Sequence, residues 1–450
     1  MPSKMKRPQR GLTRRKLIGM MGAGTAASLG PFFLFPDRAR AQQKTLKIAA
    51  WPHFVPQYDE WFDHVYTQDW GKRHDTNVIV DRIPVDKINA RAAAEVASGK
   101  GHDLFMFPWP PAIYHRHAID HAEIYQAVAS RHGNVNALGH QSTFHPRTKR
   151  YFAFADSWIP APVHFFADYW GEVSTPFGPS NYDTLHAGTR KIRAQRGIPC
   201  GLALAPGLES NITLQTLLLA FRSSFQDEDG NVNINSSYMT IQALKFVKAL
   251  YEDGGTPEAL NWGPSGNARA MLARKSSCTV NAISLLRAAE KENPKLAENI
   301  LLRPPMLGPG GVLEVPHVTS CSMVWNFAEN QDGAKQFLAD LIDNSKEVFE
   351  KSESCNFPIY QNTLPDLMHR LSQDPKGGTL AKYEELKDAL KWTRNLGHPG
   401  FATPEAMEVF GTFVIPKMFL SVVKGELTPE DAARAADKEM KRIYEKWKEA

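Results

Sequence analysis

The segment Tyr114-His115-Arg116-His117-Ala118-Ile119-Asp120-His121 gathers three imidazoles into seven residues, the densest metal-ligating chemistry in the chain. On a helix, His117 and His121 would share a face and could coordinate zinc through ring nitrogens. Two side chains make only half of a tetrahedral site, and no partner ligand stands at a fixed spacing. The competing expectation is solvated or packing histidines on a surface helix running into Tyr125, so no metal and no cofactor is assigned. Cys200, Cys278, Cys321 and Cys355 are widely spaced and form no C-x-x-C signature, which leaves buried thiols and one or two disulfides both open. Asp227-Glu228-Asp229-Gly230 is acidic but reads as a hairpin turn, because an EF-hand loop with its glycine sixth would begin at Phe225. A Gly-x-Ser-x-Gly elbow, a P-loop, a dinucleotide fingerprint after a strand and a His-Glu-x-x-His helix are all missing, and no catalytic residue is assigned.

Aromatic residues are the other functional material. A Trp or Tyr face stacks on the apolar face of a sugar while neighbouring amides and carboxylates bind its hydroxyls. Of the ten Trp residues, Trp51, Trp109, Trp158 and Trp262 fall at predicted strand ends or loops, whereas Trp61, Trp70, Trp392 and Trp447 fall within helices. Core packing competes with ligand stacking at each of them, and the same holds for His53, Asn281 and His398.

The elements that must carry these residues alternate. Leu46 to Trp51 is a strand ending at Pro52-His53, Tyr58 to Trp70 a helix with Gly71 suited to its C′ position, and Asn77 to Val80 a second strand. An Ala-rich helix from Val85 to Ser98 closes at Gly99, and His102 to Phe107 is a third strand stopped by Pro108. This β-α-β-α-β order implies a parallel, doubly wound sheet, whose ligands sit beyond the carboxyl ends of the strands, at Trp51-Pro52-His53 and Pro108-Trp109. A second unit starts after Trp158-Ile159-Pro160 with the apolar strand Val163 to Phe166 and a helix from Asp183 to Arg196. Ser236 or Ser237 caps a later helix with Ile241, Leu244, Val247 and Tyr251 on one face. Thr428 as N-cap, Pro429 at N1 and Glu430-Asp431 in the first turn open a final helix anchored by Trp447.

Residues 1–41 read as an export leader. Arg14-Arg15 precedes a weakly apolar, Gly-interrupted stretch from Leu17 to Phe35, and Ala39-Arg40-Ala41 offers a small-x-small cut before Gln42, the layout of a twin-arginine signal. An uncleaved membrane anchor is the alternative reading of the same stretch. The whole chain carries +5 and the leader +8, since nine Lys or Arg stand against Asp37 alone, so the remaining 409 residues carry −3. The basic pI of the whole chain therefore gives no reason to expect a nucleic-acid partner, and 409 residues exceed one hydrophobic core, so two lobes are expected.

Several segments in this order carry a resemblance: Lys100-Gly101-His102-Asp103-Leu104-Phe105, Tyr151-Phe152-Ala153-Phe154 before a proline crossover, Gly197-Ile198-Pro199 before a strand, and Asp227 to Ser237 ahead of Ala243 to Val247. Gly333 to Leu338 and Gly425-Glu426-Leu427-Thr428-Pro429-Glu430-Asp431-Ala432 complete the series. With them the chain resembles, over residues 44 to 450, the family 1 extracellular solute-binding proteins of ABC importers, the group that contains the maltose-binding protein. The resemblance implies the periplasmic binding protein type II fold: two doubly wound α/β lobes joined by three crossings, with a solute held in the cleft between them. One lobe would take residues 42–156 and 316–350, the other 160–312 and 355–450. The family's ligand loops match Pro108-Trp109, Glu209-Ser210-Asn211, Cys278 to Ser284 and Gly397-His398-Pro399, which with the strand ends gives Trp51, His53, Pro108, Trp109, Trp158, Glu209, Asn211, Asn281, Ser284 and His398 as ligand-binding candidates. Two departures weigh against a sugar more than against the fold. Phe166-Ala167-Asp168-Tyr169 stands where the family commonly has Tyr-Asn-x-(Asp/Glu), and Ala282-Ile283-Ser284 lacks the aromatic of many sugar binders.

The resemblance further implies a monomeric, non-enzymatic periplasmic receptor that delivers a small solute, a carbohydrate or sugar derivative by expectation, to ABC permease subunits by hinge closure, and the leader makes the twin-arginine translocase its expected partner in export. A periplasmic metalloprotein or hydrolase using the same export route is the alternative, and a solute sensor feeding a membrane kinase would have the same sequence signature.

Overall fold

The computed structural model describes residues 44–450 apart from Ser236, Val312 and Ala450, so the leader and the cut before Gln42 lie outside the described residues. Strand β1 (Lys44–Ala50) buries Leu46 and Ile48 completely. The helix after it runs from Pro56–Trp61 through a π-turn, Phe62–Tyr66, into Thr67–Arg73, so Gly71 lies inside the helix and His74, not Gly71, caps it. Strand β2 (Thr76–Arg82), a helix over Ile88–Ser98 that closes at Gly99, and β3 (Leu104–Phe107) follow as the periodicity predicts.

The turn into β3 shows why Gly and Asp stand there. Glu95 is buried and accepts from the His102 backbone N–H, and its carboxylate lies 2.6 Å from His102 Nδ1; a Cβ at Gly101 would fall 2.6 Å from Glu95 Cγ. Asp103 accepts from the backbone N–H of Lys47 and of Asn330, tying β1 to the start of a later helix. Buried backbone donors need such partners.

A hairpin of β4 (Phe144–His145) and β5 (Arg150–Tyr151) leads to β6 (Phe154–Trp158), and Ile159 to Pro162 carry the chain across to β7 (Val163–Phe166). Much later come β8 (Cys278–Val280), β9 (Ile300–Arg303), β10 (Val315–Pro316), β11 (Thr319–Val324), β12 (Phe357–Pro358) and β13 (Thr393–Arg394). The first sheet has the order β12-β6-β11-β3-β1-β2. Its β2, β1 and β3 are parallel as expected, with Ile48 opposite both Val80 and Leu104, whereas β11 enters antiparallel between β3 and β6. The second sheet, β8-β7-β9, is small and wholly antiparallel. Since β12 pairs with β6, membership of the first sheet extends to Pro358, beyond the crossing expected at residues 350–355.

Helices cover the rest. In the helix Tyr238–Gly254 the Ser237 side chain caps the start, and the buried face is Ala243, Leu244, Val247 and Leu250, with Ile241 and Tyr251 half-buried at its margins. The Asp227 carboxylate is spent inside its own turn, accepting from the N–H groups of Asp229 and Asn231. One stretch among the described residues, Pro404–Val423, is long and apolar enough to cross a membrane, yet it is two helices, Pro404–Gly411 and Val414–Val423, broken at Phe413 with φ 58°. It packs on the helices Leu208–Ala220, Tyr238–Gly254 and Pro429–Glu449 as core. The last of these starts as expected, with the Thr428 hydroxyl accepting from Asp431 N–H and donating to the Asp431 carboxylate.

Candidate functional site

The candidate residues separate into two regions. At the carboxyl ends of β1, β2 and β3, Trp51 and His53 are both buried. The Trp51 ring packs 5.2 Å from His53 and 5.0 Å from Phe54. His53 Nε2 lies 2.8 Å from Asn356 Oδ1, and its Nδ1 lies 3.0 Å from the Val55 nitrogen. Burial pushes this imidazole down to about 4, so it is neutral at ordinary pH and bonds as a neutral ring. Beneath it, Arg82 donates to Asp63, pairs with Asp59 and donates to the Trp51 carbonyl. Burial raises Asp59 to about 6 against the pull of Arg82, and raises Asp156 to about 7 against the hydroxyls of Ser157 and Ser322. This small pocket is lined by Trp51, His53, Arg82, Asp156 and Asn356, whose polar atoms bond to one another or to neighbouring protein groups.

The second region is a cleft that draws on both sheets. Phe54 reaches it from the loop after β1; Ala161 from the first crossing; His317 and Val318 from the segment between β10 and β11. Its other wall is Glu209, Ser265, Asn281 and Ser284. Glu209 stands in the first turn of the helix Leu208–Ala220, where the dipole favours an anion, and one of its oxygens accepts from the Ser265 N–H at 2.7 Å. Asn281 follows β8; its amide nitrogen donates to Asn267 Oδ1 and its oxygen accepts from the Ala282 N–H. Ser284 opens the helix Ser284–Glu292. These three are half-buried, so each keeps polar surface toward the cleft. His317 is held neutral by burial, at about 4, with Nδ1 2.6 Å from the Ile159 carbonyl.

Of the ten candidates the structure thus brings Glu209, Asn281 and Ser284 together and places Trp51 and His53 behind Phe54. Trp158 is corrected: it is 2 % exposed, its indole N–H donates to the Pro358 carbonyl and its ring packs on Phe357, which makes it core of the first sheet. Pro108 is buried at the end of β3, and Trp109 is half-buried, 6.4 Å from the Phe410 ring. Asn211 is fully buried and donates to the Phe410 carbonyl, on a different face of its helix from Glu209. His398 lies 3.3 Å from Glu314, outside the residues lining the cleft. Phe54, Ser265 and His317 are cleft residues that sequence reasoning passed over. Phe54 adjoins the Trp51-Pro52-His53 turn, and Ser265 sits in Gly263-Pro264-Ser265-Gly266, a loop signature that could have drawn attention.

The histidine cluster does not assemble. His115 and His117 lie on a 3-10 turn, Ala112–His117, the chain is extended at Ala118, and a new helix begins after His121. His117 is exposed; His121 is buried, lies 3.1 Å from the Tyr151 carbonyl oxygen and accepts from the Val324 N–H through Nε2. Among the described residues no three His, Cys, Asp or Glu side chains are arranged to hold a metal ion.

No family model matches the chain, and no curated protein does. Solved structures do. An ABC transporter solute-binding protein from Thermotoga lettingae TMO, bound with α-D-tagatose, is 14% identical with a TM-score of 0.73 over 89% of this chain and 99% of its own. Maltose-bound T. maritima MalE3 is 17% identical with a TM-score of 0.72 over 89% and 99%. A sugar transporter from Arthrobacter chlorophenolicus A6 with bound laminaribiose is 13% identical with a TM-score of 0.73, again over 89% and 99%. The chain has the fold of the type II periplasmic binding proteins.

Proposed function

We propose that the protein is an exported receptor that binds a small carbohydrate or sugar derivative in the Phe54–Glu209–Asn281 cleft and delivers it to an ABC importer. The observation that carries this reading is the cleft itself. Its walls come from loops of both sheets and from two of the segments that cross between them, and among mostly apolar side chains it offers a phenyl ring, a carboxylate, an amide and hydroxyls. A ring with one apolar face and a hydroxyl edge meets those needs together. The bound ligands of the three structural neighbours, tagatose, maltose and laminaribiose, are of that kind. The twin-arginine leader supplies the route out of the cytoplasm, and permease subunits are the expected partners. No reaction is assigned: Glu209 gives one oxygen to Ser265 and is the one carboxylate among the described residues that line the cleft.

Hinge closure follows if the solute binds the closed arrangement better than the open one, since a ligand shifts a conformational equilibrium only by that difference. A thermal-shift screen over mono- and disaccharides, sugar acids and polyols tests the reading. A binder at about a hundred times its Kd adds about 2.7 kcal/mol of stability and raises Tm visibly. Small-angle scattering with that solute should show a smaller radius of gyration, and a flat screen together with an unchanged radius would remove the proposal.

A further inference from the structure

Two of the four cysteines are neighbours. Cys200 and Cys278 are both buried with their sulfurs 3.8 Å apart, although 78 residues separate them in sequence. Their backbones run side by side: Ser277 N–H donates to the Pro199 carbonyl, Gly201 N–H to the Cys278 carbonyl, each at 2.8 Å, and the Thr279 hydroxyl to the Gly201 carbonyl. Gly201 permits this approach, since a Cβ there would stand 2.7 Å from the Cys278 carbonyl oxygen. Extended segments joined by such hydrogen bonds lie about 5 Å apart, inside the window of roughly 4.4–6.8 Å between Cα atoms that a disulfide spans. Bond formation brings the sulfurs from 3.8 Å to about 2.05 Å. The other two thiols are differently placed: Cys321 donates to the Thr319 carbonyl on β11, and Cys355 is buried just before β12.

The position of the pair gives it a role. Cys278 lies three residues before Asn281 on β8, and Cys200 begins the segment that enters the helix bearing Glu209. Both segments lead directly into one wall of the cleft. We infer that Cys200 and Cys278 form a disulfide after export, a covalent strap that fixes the Glu209 and Asn281 arms of the binding cleft to each other. This rests on the export reading above, because thiols of the cytoplasm are kept reduced. The chain crosses the membrane folded and reduced on that route, so the bond closes within an assembled pair.

The oxidant is a disulfide, either a small one such as oxidised glutathione or that of a dithiol oxidoreductase. One cysteine thiolate attacks it, forming a mixed disulfide and releasing one thiolate; the second cysteine, deprotonated, attacks the mixed disulfide and releases the other. The two cysteines lose two protons and two electrons, and the reagent leaves as two thiols. The adjacent Cys200 sulfur, together with burial, holds the Cys278 thiol well above its usual range. The exchange therefore proceeds through local opening of the 199–201 and 277–279 pairing.

The test uses the purified chain, fully reduced and then equilibrated with oxidised glutathione, alkylated in denaturant and mapped by mass spectrometry. The expected result is a peptide linking Cys200 to Cys278, lighter by two hydrogens than the two alone, with Cys321 and Cys355 alkylated. Four alkylated cysteines, glutathione adducts alone, or a link through Cys321 or Cys355 would overturn the inference. Dithiothreitol should then lower the Tm of the oxidised protein by several degrees and leave the Cys278→Ser variant unmoved; equal responses in both would also overturn it. If that variant does not fold, the peptide map of the unaltered chain decides alone. Fractionation of cells expressing the full chain reads export separately, so a protein retained in the cytoplasm counts against the export reading, whereas an exported protein with both thiols free counts against the strap.

Discussion

The pocket under Trp51 and the cleft beside Asn281 hold the same kinds of side chain, with opposite outcomes. Under Trp51, His53 meets Asn356, Arg82 meets Asp59 and Asp63, and Asp156 meets Ser157 and Ser322, so the polar groups have spent their valences on one another. Beside Asn281, Glu209 gives one oxygen to Ser265 and keeps surface toward a larger void, as do Asn281 and Ser284. A polar residue at a strand end is therefore a ligand group only where folding leaves part of it unpaired and open. Internal satisfaction makes the first region a support for the second, which it reaches through Phe54 against Trp51.

The comparison breaks first at Trp158. Trp158→Ala should cost about 3–5 kcal/mol of stability by chemical denaturation, through the void it leaves under Pro358 and Phe357, while any folded fraction binds solute with unchanged affinity; a small stability change paired with lost affinity would return Trp158 to the site.

Next in size is the pH response of two buried histidines. His53 is depressed from 6.5 to about 4, so its neutral form is the native one. Its contribution is fully present above about pH 6.5 and is lost as pH falls towards 4, a change of about 3 kcal/mol at 1.36 kcal/mol per unit. His102 has the opposite sign. Burial opposes its charge, but Glu95 and Asp81 outweigh burial and raise it. Its contribution is present below about pH 6.5 and fades as pH rises through the raised value. His121, His145 and His317 are lowered to about 4 as well, and the raised Asp156 also loses stability as pH rises, so each variant removes one share. Unfolding free energies from pH 4 to 8 should fall less steeply on the acid side in His53→Gln and less steeply on the alkaline side in His102→Gln; matching profiles for the two variants would erase the distinction.

On the cleft side, Glu209→Gln and Asn281→Ala should weaken solute binding about 10- to 100-fold by calorimetry, the range for losing a charged or paired hydrogen bond of about 1.5–3 kcal/mol. Their Tm should move little, because both side chains are half-solvated. Unfolding without loss of affinity would move them into the supporting region. Ser284→Ala should give the smallest effect, under about tenfold, as a neutral hydroxyl bond contributes about 0.5–1.5 kcal/mol.

Local signals carried well. The alternation of Leu46 and Ile48, the Ala-rich run before Gly99 and the Thr428-Pro429 start each became the element they announced, because periodicity and capping act over a few residues. The Gly101-His102-Asp103 turn was legible for the same reason, although its partner Glu95 was not. Gly71 misled, since an apolar helix face can continue past a glycine when the next strand packs against it. The surface helix expected through His117 and His121 did not form, because the chain is extended at Ala118, while exposed His117 and packed His121 match the solvated and packing roles expected of them.

By itself the sequence determined the three parallel strands that open the fold and the start of its last helix, since these follow from hydrophobic period, turn chemistry and capping. Which loop residues face a void was decided by tertiary structure alone. That choice depends on partners hundreds of residues away, Asn356 for His53 and Pro358 for Trp158, and on the crossings that bring Phe54, His317 and Asn281 to one cleft. Burial and unpaired polar surface are properties of those long-range meetings, and no local pattern encodes them.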